Sequence, residues 1–132
     1  MLVLDTSAVL EALVAVDPPS GLVDRLAADG DLNGPHLIDT EVLHVLRRMS
    51  MSGELSDERA EDARSDFAEL AIVRYAHEPL NGRVWELRHN MTAYDATFVA
   101  LAEMLGVPLI TCDARLASAS GSQARIELYS NF

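Results

Sequence analysis

The sequence predicts a three-layer α/β domain in which helices flank a parallel sheet. Short apolar or β-branched stretches are typical of buried strands, and they occur at Leu2–Asp5, Ile72–Tyr75, Val107–Thr111 and Ile126–Tyr129. Long segments with helical spacing separate them. Strands that alternate with helices pair in parallel through crossover connections, which predicts the α/β class. No linker, repeat or low-complexity segment divides the chain, so we expect residues 1–132 to form one domain.

The segments between the strands carry the start and stop signals of helices. A Pro-Pro pair follows the first helical pattern, and glycines follow several later ones. Ser56 and the two acids after it indicate an N-cap with an acidic first turn. The stretch Asn33-Gly34-Pro35 predicts a turn. The predicted helices in chain order are Ser7–Val16, Gly21–Ala28, a third through Val42–Met49 that closes near Ser52, Ser56–Leu70, Pro79–Arg88, Tyr94–Leu105 and a short one after Asp113.

The charge of the chain limits its possible partners. The chain has 21 acidic and 10 basic residues, all of the basic ones are arginine, and the net charge is −11. A nonspecific nucleic-acid binder needs a broad basic face, which this composition does not provide. If the protein handles nucleic acid, it must do so through a few arginines and bound cations. An acidic surface also suits a basic protein partner, and charge that only maintains solubility is the alternative.

Hydropathy and cysteine content predict a cytoplasmic protein without a membrane segment. No apolar run approaches the ~20 residues that a membrane span needs. The N-terminus also lacks the basic region that opens a secretory signal. The only cysteine, Cys112, has no partner for an intrachain disulfide, which suits a reducing compartment. We expect it to be a buried small side chain and not a reactive thiol.

Two of the acidic residues are placed at strand ends. Asp5 ends the first predicted strand, and Asp113 follows the strand at Val107–Thr111 by two residues. Parallel strands point the same way, so both carboxylates should emerge at the sheet edge where open α/β sheets bind their ligands. A carboxylate at the end of a buried strand is costly to desolvate unless a donor or a cation meets it.

Two further acids stand near the starts of apolar helices. Asp95 begins a helix composed mainly of apolar residues, and Glu41 lies in the sequence DTEVLHVL. Each could serve only as an N-cap or as a first-turn acid that complements the helix dipole. The helix start would also keep the Asp95 carboxylate ionised and available to a cation. The case for a site therefore depends on the four acids together.

Four carboxylates brought close together repel one another unless a cation compensates their charge. Oxygen-only ligation of this kind suits Mg²⁺ or Mn²⁺, hard ions that keep some waters for a substrate phosphate. The implied chemistry is phosphodiester hydrolysis, with water activated by the metal and no histidine or lysine base required.

Other catalytic patterns are missing from the sequence. Thr6 and Ser7 adjoin Asp5 without the Gly-x-Ser-x-Gly elbow of serine hydrolases, so we expect their hydroxyls to cap the helix or to orient a water at the metal. The four histidines show no metal-ligand spacing and are predicted to be structural or surface residues. No glycine-rich phosphate loop is present, which argues against nucleoside triphosphate and dinucleotide binding.

The segments LVLDTSAVL, IDTEVLHVL and TAYDATFVALAEMLGVPLITCDARLA, in this order, resemble the PIN-domain ribonucleases, and in particular the VapC-type toxins of toxin–antitoxin pairs. The resemblance spans nearly the full length, although about residues 57–78 match only in pattern. It implies a PIN-like fold with a parallel sheet of about four to five strands. It also implies Mg²⁺- or Mn²⁺-dependent endoribonuclease activity on structured or translation-related RNA, dimerisation, and inhibition by a small cognate VapB-type antitoxin.

Carried over position by position, the four family acids fall on Asp5, Glu41, Asp95 and Asp113 as catalytic and metal-binding residues. Thr111 is the family hydroxyl two residues before the last acid. The antitoxin is expected to lay a segment across this site, often with a basic side chain among the carboxylates. Arg115, two residues beyond Asp113, is predicted either to reach substrate phosphate or to pair with an acid at the rim.

The sequence argues against two other classes of protein and leaves a third reading open. Signalling receivers also cluster acids around Mg²⁺, but they need a late lysine, and this chain has no lysine. Phosphatases of the haloacid-dehalogenase type need a second Asp two residues after the first, where this chain has Ser7. A PIN-like module that binds RNA or protein without cutting it is the remaining alternative.

Overall fold

Five short stretches of mostly apolar residues form a parallel sheet in the computed structural model, which describes residues 1–130. The strands are β1 (Leu2–Leu4), β2 (Leu32–Pro35), β3 (Ile72–Tyr75), β4 (Leu109–Thr111) and β5 (Ile126–Leu128). Their spatial order is β3-β2-β1-β4-β5, and every neighbouring pair runs in the same direction. The predicted α/β class with four to five parallel strands is confirmed.

Helices form the two outer layers. In chain order they are α1 (Thr6–Val14), α2 (Leu22–Asp29), α3 (Leu37–Ser52), α4 (Asp57–Glu69), a 3₁₀ turn (Glu78–Leu80), α5 (Asn81–Glu86), α6 (Ala93–Leu105) and α7 (Ala114–Ser118). Right-handed crossovers place α1 to α4 on one face of the sheet and α5 to α7 on the other. The contacts agree, because α1 packs against α2, α3 and α4, whereas α5 packs against α6. The helix predicted over Pro79–Arg88 is divided between the 3₁₀ turn and α5.

The turn predicted at Asn33-Gly34-Pro35 is wrong, because these residues form most of β2. Asparagine favours turns by bonding its own neighbouring backbone, and Asn33 Nδ2 does donate to the Asp31 carbonyl at 3.2 Å, but the sheet supplies further partners for the amide. The Nδ2 of Asn33 donates to the carbonyl of Leu2 at 3.0 Å, and its Oδ1 accepts a hydrogen bond from the Tyr75 hydroxyl at 3.0 Å. Tertiary pairing therefore overrides the local preference of this stretch.

The strand order creates a crevice beside β1. From β1 the chain builds β2 and β3 on one side and then crosses to add β4 and β5 on the other. The reversal lies between β1 and β4, and ligands of open α/β sheets bind outside the carboxyl ends of the strands at such a point. Asp5 and Asp113 follow these two strands.

The helix α6 anchors the core behind this crevice. Its residues Ala96 to Ala102 are all buried, and it contacts β1, β2 and β4. Because this stretch is buried so completely, its first turn is held in a fixed place above the sheet. Within residues 1–130 no helix has both the length and the apolar character required to cross a membrane.

Candidate active site

A cavity of about 510 Å³ opens at the carboxyl ends of β1 and β4. Four different segments supply its acids: the end of β1, the second turn of α3, the first turn of α6 and the N-cap of α7. The lining includes all four predicted acids, Asp5, Glu41, Asp95 and Asp113. The fold thus brings into one cavity carboxylates that are far apart along the chain.

Asp5 is the most buried of the four acids, with 6% of its surface exposed. Its Oδ2 accepts hydrogen bonds from the hydroxyls of Ser7 at 2.6 Å and Thr111 at 2.7 Å. Burial raises the pKa of Asp5 above its ordinary value; the two hydroxyl bonds oppose this, and the negative charge of Asp95 adds to it. The side chain is therefore held rigidly in a place where its charge is poorly solvated.

The two hydroxyls that hold Asp5 also join the ends of β1 and β4. The Ser7 and Thr111 oxygens lie 3.2 Å apart. Ser7 Oγ accepts from the amide of Cys112 at 3.0 Å, and Thr111 Oγ1 accepts from the amide of Asp113 at 3.0 Å. The hydroxyls of Thr6 and Ser7 do not cap α1, one of the two roles expected for them, because the start of α1 carries no side-chain cap within the described chain. They donate to Glu41 and Asp5 instead.

Glu41 is half-buried and points toward the same cavity. Its Oε1 accepts a hydrogen bond from the Thr6 hydroxyl at 2.6 Å. Burial raises the pKa of Glu41, the Thr6 bond lowers it, and the charges of Asp5 and Asp95 raise it further. Asp5 and Glu41 are thus each destabilised as anions by neighbouring carboxylates, which is the condition that a bound cation relieves.

Asp95 and Asp113 share one arginine. The Nη2 of Arg115 lies 3.1 Å from Asp95 Oδ2 and 3.2 Å from Asp113 Oδ2. These two negative charges raise the pKa of Arg115. The N-cap of α6 is Thr92, whose hydroxyl accepts from the Asp95 amide at 3.2 Å, so the Asp95 carboxylate is not used as a cap. Arg115 pairs with acids at the rim, one of the two expected arrangements.

Asp113 does cap a helix. Its Oδ1 accepts hydrogen bonds from the backbone amides of Arg115 at 2.9 Å and Leu116 at 3.4 Å. The other carboxylate oxygen remains directed at Arg115. Capping therefore fixes the orientation of Asp113 at the cavity without removing its outer oxygen from external ligands.

The carboxylates suit a hard divalent cation by their chemistry. They provide an oxygen-only donor set on four rigid elements. In residues 1–130 no three His, Cys, Asp or Glu side chains are already arranged around a common metal position. Each acid instead has an internal donor: hydroxyls serve Asp5 and Glu41, and Arg115 serves the other two. A bound cation would replace these donors. Arg115 is exposed, so rotation of its side chain alone would release Asp95 and Asp113.

The cavity has a second group of lining residues that the sequence analysis did not single out. None of them is acidic, and they comprise Leu37, Thr40, His44, Val45 and Tyr94. His44 was expected to be structural or superficial, and it is exposed. The signal that identifies Tyr94 is its place directly before Asp95, in the exposed first turn of a helix whose next residues are buried.

Cys112 and His77 were predicted to have no catalytic role. Cys112 was expected to be buried, but it is only partly buried. Burial, together with the charges of Glu11 and Asp5, raises the pKa of Cys112 to about 12, so the thiol stays protonated at neutral pH. The Nε2 of His77 accepts a hydrogen bond from the Leu37 amide at 2.9 Å, at the start of α3. Neither the protonated Cys112 thiol nor the Nε2 of His77 is available as a nucleophile or a metal ligand in this arrangement.

Comparison with known proteins places the chain in a family. The PIN domain family model matches residues 2–121. Ribonuclease VapC1 of Mycobacterium tuberculosis is 44% identical over 127 residues, which are 96% of each chain, and ribonuclease VapC9 of the same species is 39% identical over 126 residues, again 96% of each. Among solved structures, that of VapBC2 from Rickettsia felis bound to a promoter DNA fragment matches this fold with a TM-score of 0.72 at 12% identity. The match covers 97% of this chain and 98% of that chain. The chain therefore belongs to the PIN domain family, and within it to the VapC proteins.

Proposed function

We propose that this chain is the toxin of a toxin–antitoxin pair and hydrolyses RNA phosphodiester bonds as a metal-dependent endoribonuclease. The observation that carries the proposal is the meeting of Asp5, Glu41, Asp95 and Asp113 in one cavity at the switch point of the sheet. The ribonuclease names of relatives up to 44% identical over nearly the whole chain support it.

The four acids are the proposed catalytic residues and the ligands of Mg²⁺ or Mn²⁺. When bound, such a cation supplies a Lewis acid that activates water and neutralises charge on the scissile phosphate. Ser7 and Thr111 fix the Asp5 carboxylate, and Thr6 fixes that of Glu41. Burial raises the pKa of both acids, so in the metal-free protein they hold protons more readily than exposed carboxyls do.

Removal of divalent ions is the direct test of this proposal. EDTA is expected to reduce cleavage of RNA to the uncatalysed background, and Mg²⁺ or Mn²⁺ added in excess is expected to restore it. The measurement is the mapping of RNA ends in a mixture of cellular RNA, with the purified chain, with and without chelator. Specific cleavage that persists in EDTA would refute the metal mechanism. Metal uptake without any cleavage would favour the alternative of a PIN-like binding module.

Arg115 is proposed to compete with the cation and then to contact substrate phosphate. Its side chain is 69% exposed and can leave Asp95 and Asp113 by rotation. Arg115→Ala is expected to tighten Mn²⁺ binding by less than about fivefold, since exposed ion pairs are weak, and to raise the KM for RNA. Calorimetric titration and steady-state kinetics measure the two effects separately. Arg115→Lys, which keeps the charge, should change both less; unchanged values in the Ala variant would contradict this role.

The proposed protein partner is a small VapB-type antitoxin with a basic side chain that enters the acidic cavity. A net charge of −11 favours such a partner. The fold also matches that of VapBC2 from Rickettsia felis. We further propose that the chain acts as a homodimer in the cytoplasm. Expression in cells tests the assignment as a toxin: growth should stop when the chain is produced alone and resume when the antitoxin from the adjacent gene is produced with it.

A further inference from the structure

We propose that the part of the cavity without acidic side chains binds an unpaired RNA base next to the bond that is cut, and that the ring of Tyr94 stacks on this base. We call this part the base shelf; it consists of Leu37, Thr40, His44, Val45 and Tyr94. The inference rests on the proposed ribonuclease function and assigns to it a residue that positions the substrate.

One stripe of α3 forms most of the base shelf. Positions 37, 40, 41, 44 and 45 follow one another at helical spacing, so their side chains share one face of the helix. Glu41 stands among the shelf residues of this stripe, and Tyr94 is the immediate neighbour of Asp95. The base shelf and the proposed catalytic acids are thus adjacent parts of one surface. A nucleotide whose phosphate lies at the acids has its base within reach of the shelf.

Tyr94 is unusual among the aromatic residues in having no internal partner. Its side chain is 62% exposed, and in residues 1–130 its hydroxyl makes no hydrogen bond and its ring no stacking contact. Within the described part of the chain, the other strongly exposed aromatic residue is Trp85, which is 68% exposed. The guanidinium of Arg88 covers it at 4.6 Å from the ring centre. The Tyr94 ring is therefore free to stack on a flat ligand that enters the cavity.

The base shelf and the acids attract different chemical groups. A basic side chain of a protein partner is drawn to the acids, whereas the shelf offers an aromatic ring and apolar side chains to a flat ligand. The net charge of −11 and the four acids disfavour the binding of phosphates, and Arg115 is one cation at the cavity that opposes this effect. Stacking of a base on an aromatic ring does not depend on charge and can supply the missing affinity. Bases are accessible for such stacking only where they are unpaired.

The test compares Tyr94→Ala and Tyr94→Phe with Trp85→Ala, an equally exposed aromatic residue outside the cavity. Tyr94→Ala is expected to raise the KM for a short single-stranded RNA by about tenfold, with a smaller change in kcat. Tyr94→Phe keeps the ring and should stay close to the unmodified protein, as should Trp85→Ala. The increase in KM should persist at high salt, because stacking is not screened.

Binding is measured separately from cleavage with a 2-aminopurine oligonucleotide on an Asp95→Asn background. Stacking quenches 2-aminopurine fluorescence, so quenching is expected with Tyr94 and is expected to be lost with Tyr94→Ala. Equal quenching and an equal KM with and without the Tyr94→Ala change would overturn the inference. Inactivity of Asp95→Asn is expected from the proposed ribonuclease function and leaves that function standing. If Tyr94→Ala weakened inhibition by the antitoxin and left RNA binding unchanged, the inference would also be overturned, because the shelf would then belong to the protein partner. If the unmodified protein did not cleave RNA, this would count against the proposed function. The 2-aminopurine fluorescence would still show whether the shelf binds a base.

Discussion

Replacement of Asp95 by Asn is expected to lower RNA cleavage by about a thousandfold or more, the factor that corresponds to several kcal/mol of lost transition-state stabilisation. Asn has the shape of Asp without its charge, so it is a poor ligand for a hard cation. The fold should persist, because the Asp95 backbone bond to Thr92 does not involve the carboxylate. The carboxylate's ion pair is with Arg115, which is mostly exposed, and such pairs contribute little to stability.

The control for this variant is Asp66→Asn, which makes the same change of charge at an exposed position of α4. It should retain full cleavage, so any loss in the Asp95 variant cannot come from net charge alone. Circular dichroism and thermal unfolding establish that both variants are folded. If folded Asp95→Asn cut RNA at the normal rate, Asp95 would have no part in the reaction.

Asp5→Asn is expected to abolish cleavage to a similar extent and, unlike Asp95→Asn, to stabilise the metal-free protein. Asp5 is almost fully buried beside other carboxylates, so the loss of its charge removes an unfavourable desolvation. The amide oxygen of Asn can still accept the bonds from Ser7 and Thr111. We expect the Tm in EDTA to rise by a few degrees, the change that about 1 kcal/mol produces in a domain of this size. Excess Mn²⁺ should stabilise the unmodified protein but not the variant.

The stabilisation of the metal-free protein by Asp5→Asn is expected to depend on pH. Burial raises the pKa of Asp5 and Glu41 in the folded state, so the folded protein binds these protons more tightly than the unfolded chain does. Their contribution to stability is present below the ordinary carboxyl pKa, near about 4, and is lost as the pH rises through the raised values. The stability advantage of Asp5→Asn should therefore grow from acid to neutral pH. Urea unfolding across this range measures it; a variant less stable than the parent at neutral pH would disprove the account.

The sequence allowed the prediction of those parts of the site that follow from topology. Asp5 and Asp113 each follow an apolar strand, and parallel strands must end at one edge, so their convergence could be expected. The pairing of Arg115 with acids at the rim was one of two arrangements expected. The hydroxyl partners of Asp5 could not be predicted, because the hydroxyls at positions 7 and 111 meet only after β4 has been placed beside β1. The strand β2 escaped prediction for a related reason: the Asn33 amide finds partners on two other strands as well as on its own neighbour, Asp31.

The base shelf lay beyond prediction from sequence for a different reason. Leu37 and Val45 look like ordinary core residues of an amphipathic helix, and His44 has no motif around it. Only the packing of α3 against the rest of the domain leaves their stripe open at the cavity. The one local sign of the shelf is Tyr94, an exposed aromatic residue next to the candidate catalytic acid Asp95. It can be recognised once the start of α6 is known.

The hydrogen bond between Thr111 and Asp5 has a consequence for the synthesis and folding of the protein. Asp5 is synthesised 106 positions before Thr111, whose hydroxyl holds its side chain from a strand that must first pair with β1. A partly synthesised chain therefore lacks an organised centre. On the proposed function, cleavage of RNA begins only after β4 has been made and has paired with β1, which leaves an interval for an inhibitor to be made.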